Sequence, residues 1–462
     1  MPAQPQSVFP ASNPGDNDCV TAPALFCDLY SLTMAQAYHR ERLDGVAVFE
    51  LVCRHLPPHR NFLVAAGAET VRAFLAGFRF TAEDLAFLGS LGLFSDDFLS
   101  HLAEVRFTGT AFAIPEGTPV FPPAPLLQVV APILEAQLVE AYVLNQIHVQ
   151  TLAATKAARV VAAAAGRQVV DFGSRRAHGL DAGLQVARAT YLAGGAGTSN
   201  VLAGLRYGIP VFGTMAHSYI QAHASEDEAF RSFLEAFPNS TLLVDTYDTL
   251  EGVRRVAALA RACGPEFRCS AIRLDSGDLA ALAVESRRIL DAAGLSRVKI
   301  FASSGLDEYA IARLLAAGAP IDGFGVGTKL AVSEDAPDLD LAYKLVELDG
   351  VGKTKLSAEK IIYPGRKQVF RQYDRRGEMA GDIIGRWNES LPGEALLQPL
   401  WSPDAPPPPS ASAALAQARQ RLAAALARLP SAWRALEPPA QPYPVQFSEA
   451  LCADLASVRS RI

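Results

Sequence analysis

Cysteine is scarce in this sequence. There are six in 462 residues (Cys19, Cys27, Cys53, Cys263, Cys269 and Cys452), and no two form a CxxC pair. That count and spacing exclude a zinc ribbon and a disulfide-stapled scaffold, and they suit a reducing compartment. Positive charge is in deficit, with 42 Lys and Arg against 48 Asp and Glu, a net charge of −6. A nucleic-acid binder that neutralises phosphates would be basic, so that class is disfavoured, although one anion-binding pocket is still allowed. No uncharged apolar run approaches the ~20 residues that span a bilayer. The opening MPAQPQSVFPASNPGDND has neither the basic start nor the apolar core of a signal peptide. The 34 Gly and 31 Pro are near the ordinary share, which excludes collagen-like and low-complexity chains. The expectation is a cytoplasmic protein with no nucleic-acid or membrane partner. Half the residues are hydrophobic and 19% are charged, ample for a large core.

Residues 1–20 read as a loose polar arm. DLYSLTMAQAYHRER then suits a helix with Asp28 as its N-cap. AVFELVCRHLP alternates Phe49, Leu51 and Cys53 against Glu50, Val52 and Arg54, as in a half-buried strand. Short helices are expected over 68–105, small antiparallel strands over 107–132, and one or two helices from Glu135. From about 168 to 347 short β-rich runs recur, most of them 25–30 residues apart and each followed by a helical segment: VVDFG, AGTS, IPVFGT, TLLVDTYD, AIRLDSGD, KIFASSG, DGFGVGT and AYKLVE. Parallel strands need such crossovers, and eight runs suggest a closed (β/α) barrel. KLSAEKIIYPGRKQVFR (355–371) reads as antiparallel strands, SPDAPPPPSAS (402–412) as a linker and 413–428 as a helix. The fold class expected is α/β: an irregular barrel over 134–349, with an α+β domain built from 21–133 and 350–462.

Polar residues collect at the carboxyl ends of these runs: Asp171-Phe-Gly-Ser-Arg175-Arg176, Thr198-Ser199-Asn200, Thr214-Met-Ala-His217, Asp245-Thr246-Tyr247-Asp248, Arg273-Leu-Asp275-Ser-Gly-Asp278, Ser303-Ser304-Gly305 and Gly325-Val-Gly327-Thr328. In a barrel those ends form the reactive face. Guanidinium groups and Gly-rich turns bind phosphate, while carboxylates such as Asp275 and Asp278 suit Mg²⁺ or sugar hydroxyls. The combination fits a phosphorylated sugar with Mg²⁺.

Taken in order, FCDLYSLTMAQAY, FELVCRHLP, PEGTPVFPPAPLLQV, EAQLVEAYVLNQI, DFGSRRAHG, GTSNVLAGLRYGIPVFGTMAHSYI, RLDSGDL and DGFGVGTKL make the chain resemble the nicotinate phosphoribosyltransferases, from about residue 24 to the C-terminus. The resemblance implies a type II phosphoribosyltransferase fold. It also implies transfer of the 5-phosphoribosyl group of PRPP to nicotinate in NAD salvage, with Mg²⁺ as cofactor, ATP as co-substrate, and active sites shared across a homodimer. The acidic PRPP loop of type I transferases is absent, in keeping with type II.

Carried over residue by residue, the resemblance makes His217 the histidine that ATP phosphorylates; the alternative is a structural, hydrogen-bonded histidine. His178 and His223 are weaker candidates. Tyr30, supplied by the neighbouring subunit, and Phe172 match aromatics on the two faces of the pyridine ring. Thr214 matches a nicotinate-site residue. Arg175 and Arg273 match arginines near the substrate carboxylate and the phosphoribosyl group, the alternative for Arg273 being an interdomain salt bridge. Asp275 matches an acidic group close to ribose and metal. Gly325, Gly327 and Thr328 match the 5-phosphate loop. Lys355, Arg366 and Lys367 are candidates for polyphosphate binding or else a solvated basic loop. The nicotinamide-specific relatives carry an acidic residue where this sequence has Ser199, so serine favours the acid over the amide. At Ser303-Ser304-Gly305 the chain lacks the acidic residue that relatives often carry before LDE, so no metal or ATP role is carried over there. The rival readings are a nicotinamide phosphoribosyltransferase and a catalytically silent nucleotide-binding barrel.

Overall fold

A computed structural model describes residues 24–355 and 362–461. The arm expected over 1–20, and positions 356–361 of the expected antiparallel run, lie outside the described residues.

Six strands form one all-parallel sheet, in the order Gly197–Thr198, Gln168–Asp171, Gly323–Val326, Lys299–Ala302, Cys269–Leu274, Ser240–Leu243. Their apolar residues (Val169, Leu242, Ile272, Ile300 and Phe324) are buried beneath the crossover helices in one core. That is why the runs read as short and continuously apolar rather than alternating. Among the described residues the sheet does not close. IPVFGT adds only a single parallel bridge, Thr198 to Val211, beside the Gly197–Thr198 edge. The result is a half-barrel.

AYKLVE, expected as the eighth barrel run, belongs elsewhere. Leu341–Leu348 pairs antiparallel with Val46–Cys53, placing Glu50 opposite Lys344 and Leu51 opposite Tyr343. The second sheet runs Val351–Gly352, Leu341–Leu348, Val46–Cys53, Pro125–Pro132, Thr110–Ala113, Gln398–Trp401. Nor does Val46–Cys53 keep a wet face. Glu50 is buried and its Oε2 accepts from Lys367 Nζ at 2.9 Å. Lys367 begins the strand Lys367–Tyr373, whose Val369 is buried in the same core. A buried carboxylate is tolerable only with such a partner.

The helices Ile133–Leu138 and Glu140–Ala163 bear out the apolar periodicity after Glu135. The longer helix joins the two cores: Val143 and Ile147 pack with the antiparallel sheet, and Ala153, Ala157 and Val160 with the parallel one. Its alanines allow close approach. Its polar residues are tied off inside, Thr155 Oγ1 accepting from Val64 N at 2.9 Å and Lys156 pairing with Glu308 at 2.6 Å. Asp28 does occupy the N-cap of the helix Leu29–Glu41, but its side chain makes no cap bond. The helix read at 413–428 spans Ala411–Arg428, so it takes in the end of the expected linker. Its Leu415 and Leu422 enter the half-barrel core.

Candidate active site

Parallel strands put all their carboxyl ends along one edge, and the polar residues of that edge fall into two connected groups. The first is centred on His217, which opens the short helix His217–Gln221. Its Nδ1 lies 3.1 Å from Thr246 Oγ1. Its Nε2 lies 3.8 Å from Asp275 Oδ2, at ion-pair rather than hydrogen-bond distance. Asp275 directly follows the strand Cys269–Leu274; its Oδ1 accepts from the Ser303 hydroxyl, and its backbone N–H donates to Asp245 Oδ2 at 3.1 Å. Ser276 Oγ donates to that same Asp245 oxygen at 2.6 Å, while Asp245 Oδ1 is buried without a partner. The side chains of His217 and Asp275 are 41% and 34% exposed, so a ligand can reach both.

Arg273 completes this group. One of its terminal nitrogens donates to the Met215 carbonyl at 3.3 Å, and its Nε is buried with no partner. Burial pushes the guanidinium below its ordinary pKa; Asp275 and Asp245 oppose that shift, and Arg175 adds to it. Arg175, though exposed, is therefore within electrostatic reach of Arg273. Thr214 leads into the same loop, its hydroxyl donating to the Met215 carbonyl at 3.1 Å.

The second group surrounds Phe172. Asp171 is fully buried and accepts from Thr198 Oγ1 at 2.6 Å and from Gly173 N at 2.7 Å. Burial raises its pKa against those two bonds. It acts as a brace for the neighbouring turns: Ser199 N donates to the Asp171 carbonyl at 2.9 Å and leaves the Ser199 side chain exposed. The Phe172 ring lies over Gly325, where an added Cβ would stand 2.5 Å from two ring carbons. It also tilts against Phe301, with centroids 6.0 Å apart. Gly327 and Thr328 follow at the start of the short helix Thr328–Ala331. Gly325→Ala is expected to destabilise the fold by about 1–3 kcal/mol through overpacking, read as a lowered denaturation midpoint; an unchanged midpoint would show that Phe172 repacks freely.

Other residues singled out from the sequence are used differently. Asp278 is an N-cap: its Oδ1 accepts from Ala280 N and Ala281 N, both at 3.1 Å, so it is committed to the helix Leu279–Ala292. His223 bonds the Tyr219 carbonyl at 2.8 Å inside its own turn. His178 is exposed in the turn before the helix Leu180–Leu192. Lys367 is spent on Glu50, and Arg366 is stacked between Phe112 at 4.2 Å and Trp387 at 3.5 Å, so neither belongs to a solvated basic loop or the rim. Lys355 is exposed. Tyr30 stands apart from the rim contacts. It is 45% exposed, and its hydroxyl pKa is pushed up to about 12 by partial burial and by Glu140. Three members of the cluster were not singled out from the sequence: Thr246 and Asp245, visible only as members of a polar strand end, and Ser303, which looked like a loss.

Fold and site together define an α/β half-barrel enzyme with a histidine–aspartate–arginine cluster on its carboxyl rim. Two family models match the chain: the nicotinate phosphoribosyltransferase N-terminal domain over residues 25–148 and the nicotinate phosphoribosyltransferase family over residues 167–360. The chain is 56% identical to a Mycobacterium tuberculosis nicotinate phosphoribosyltransferase, with 94% of each chain covered. It is 41% identical to the Bacillus subtilis enzyme, over 81% of this chain and 78% of that one. The crystal structure of the human nicotinic acid phosphoribosyltransferase superposes with a TM-score of 0.82 at 31% identity, covering 93% of this chain and 99% of that one. This chain therefore belongs to the nicotinate phosphoribosyltransferase family of enzymes. No helix among the described residues is long and apolar enough to cross a membrane.

Proposed function

We propose that this chain, in the cytoplasm and as a homodimer, transfers the 5-phosphoribosyl group of PRPP to the ring nitrogen of nicotinate. The products are nicotinate mononucleotide and pyrophosphate, and ATP hydrolysis is coupled to the transfer through a phosphoryl group carried on His217. The observation that carries this reading is the convergence of His217, Asp275 and Arg273 on one accessible rim in a chain of this family. In the coupling step an unprotonated imidazole nitrogen attacks the γ-phosphorus of ATP. An N–P bond forms as the P–O bond to ADP breaks, and water later cleaves the phosphoramidate. In the transfer step the ribose C1–O bond breaks with its electron pair leaving on pyrophosphate, and the nicotinate nitrogen supplies the pair for the new C–N bond.

Arg273 and Arg175 supply fixed positive charge for the carboxylate and phosphate oxygens. Phe172 offers one aromatic face to the pyridine ring, and Tyr30 of a second copy the other. Gly327 and Thr328, just past the strand Gly323–Val326 that carries Gly325, form the turn suited to the 5-phosphate. Among the described residues no group of three His, Cys, Asp or Glu could hold a metal alone. Asp245 Oδ1 is buried without a partner and Asp275 Oδ2 makes only a 3.8 Å ion-pair contact, and Mg²⁺ is commonly held by one or two carboxylates together with substrate phosphates, so these residues fit it. Bound there, Mg²⁺ would neutralise charge on the departing pyrophosphate.

The test is synthesis of the nucleotide from nicotinate, PRPP, Mg²⁺ and ATP by the purified chain; no product would end the proposal. Substrate choice is predicted separately. The exposed Ser199 hydroxyl puts no negative charge beside the acid. The kcat/KM for nicotinate is expected to exceed that for nicotinamide, and Ser199→Asp to lower the nicotinate value on the order of 10²-fold through like-charge repulsion. A wild-type preference for the amide would sink the Ser199 argument.

A further inference from the structure

One nitrogen of the His217 imidazole is hydrogen-bonded, the other faces a carboxylate at ion-pair distance, and that carboxylate is itself held. Thr246 Oγ1 lies 3.1 Å from Nδ1. On the other side Asp275 presents Oδ2 to Nε2 at 3.8 Å, because its Oδ1 is taken by the Ser303 hydroxyl. Ser303 is only 3% exposed, so its hydroxyl has no ready water to bond instead. Thr246 and Ser303 follow different strands, Ser240–Leu243 and Lys299–Ala302, which flank the strand Cys269–Leu274 that carries Asp275. The clamp is therefore built on three adjacent strand ends and not within one loop.

A neutral imidazole has one donor nitrogen and one acceptor nitrogen, and an unrestrained ring can turn over and exchange them. The Thr246 contact restrains the plane of the His217 ring, and its hydroxyl can serve Nδ1 as donor or as acceptor. On the phosphohistidine reading above, we propose that Thr246 and Ser303 are positioning residues for phosphoryl transfer at His217, Thr246 by fixing the ring and Ser303 by fixing the carboxylate that faces it. Near-attack geometry is where such restraint acts: a modest misorientation of the nitrogen costs rate without abolishing binding. This gives Ser303 a use in the same place where the chain departs from the commonest family pattern.

The experiment uses the full chain as wild type, Thr246→Val, Thr246→Ser, Ser303→Ala and the Val/Ala double variant, each with Mg²⁺, PRPP, nicotinate and γ-labelled ATP. Acid-labile label on the protein is measured, along with ATP hydrolysed per nucleotide formed. Thr246→Val and Ser303→Ala are each expected to lower the label about tenfold, the worth of one hydrogen bond to a charged or catalytic group, and to raise the ATP-per-product ratio. Thr246→Ser is expected to restore both readings, and the double variant to lose less than the product of the single losses, because both act on one pair. A purely structural lesion would depress labelling and synthesis together and leave the ratio unmoved. Should Ser303→Ala fail to fold, the half-buried Thr246 pair of variants carries the test alone. A labelled wild type with Thr246→Val equal to it in label and ratio would overturn the positioning role; an unlabelled wild type would overturn the phosphohistidine reading beneath it.

Discussion

His217→Ala is expected to abolish labelling of the protein by γ-labelled ATP, with at least about 10²-fold less label than wild type, and to make nucleotide synthesis insensitive to added ATP. The reason is geometric. His217 is the histidine placed within reach of Asp275, accessible to ligand and hydrogen-bonded to Thr246. His223 is committed to the Tyr219 carbonyl in its own turn. His178 sits exposed in the turn before another helix, Leu180–Leu192. A phosphoryl group arriving at the rim therefore has one imidazole suitably placed to receive it. The check is a filter-bound labelling assay beside a coupled synthesis assay. A variant that keeps ATP-stimulated synthesis would show that the coupling runs through another group.

Arg273→Ala is expected to lower kcat/KM on the order of 10²–10³-fold, the usual cost of removing one preorganised donor from a site that stabilises developing negative charge. Arg273→Lys is expected to recover little of it, because an ammonium is a point charge and cannot offer the planar fork that a carboxylate or phosphate accepts. Arg273 is already partly desolvated by the strand it belongs to, and one of its donors is buried without a protein partner. Its cost on folding is borne partly by Asp275 and Asp245, which also keep the site from becoming a simple cluster of positive charge. Steady-state kinetics in both substrates, with denaturation midpoints as the control for folding, decide the matter. A loss below tenfold in a stable variant would place Arg273 in a structural ion-pair network instead of the anion site.

The rim also shows why strand-end polarity is an incomplete guide to chemistry. Each parallel strand is followed by a helix, and a side chain often satisfies a helix's first N–H groups. Asn200, Asp248, Asp278 and Asp307 meet that need, bonding Ala203, Glu251, the Ala280–Ala281 pair and Ala310 respectively. Asp275 and Asp278 stand three residues apart and look alike as letters. Only their hydrogen bonds separate the carboxylate that faces His217 from the one that caps a helix. Ser303 is the converse case: a residue read as the absence of an acid turns out to hold the neighbouring acid in place.

Local pattern alone was enough for the α/β class, the repeating strand–helix units, the short helices over 68–105, and the rim as the place for His217, Arg273 and Asp275. Backbone periodicity and turn chemistry act over a few residues and are written in neighbouring letters. Partners distant in the chain were decided by the tertiary structure. Leu341–Leu348 left the barrel count to pair with Val46–Cys53, and Glu50 was drawn inside by Lys367 across more than three hundred residues of sequence. The half-barrel stayed open beyond the single bridge at Val211. Strand pairing and ion pairing depend on which surfaces meet once the core has formed, and that information lies in the packing of the whole chain.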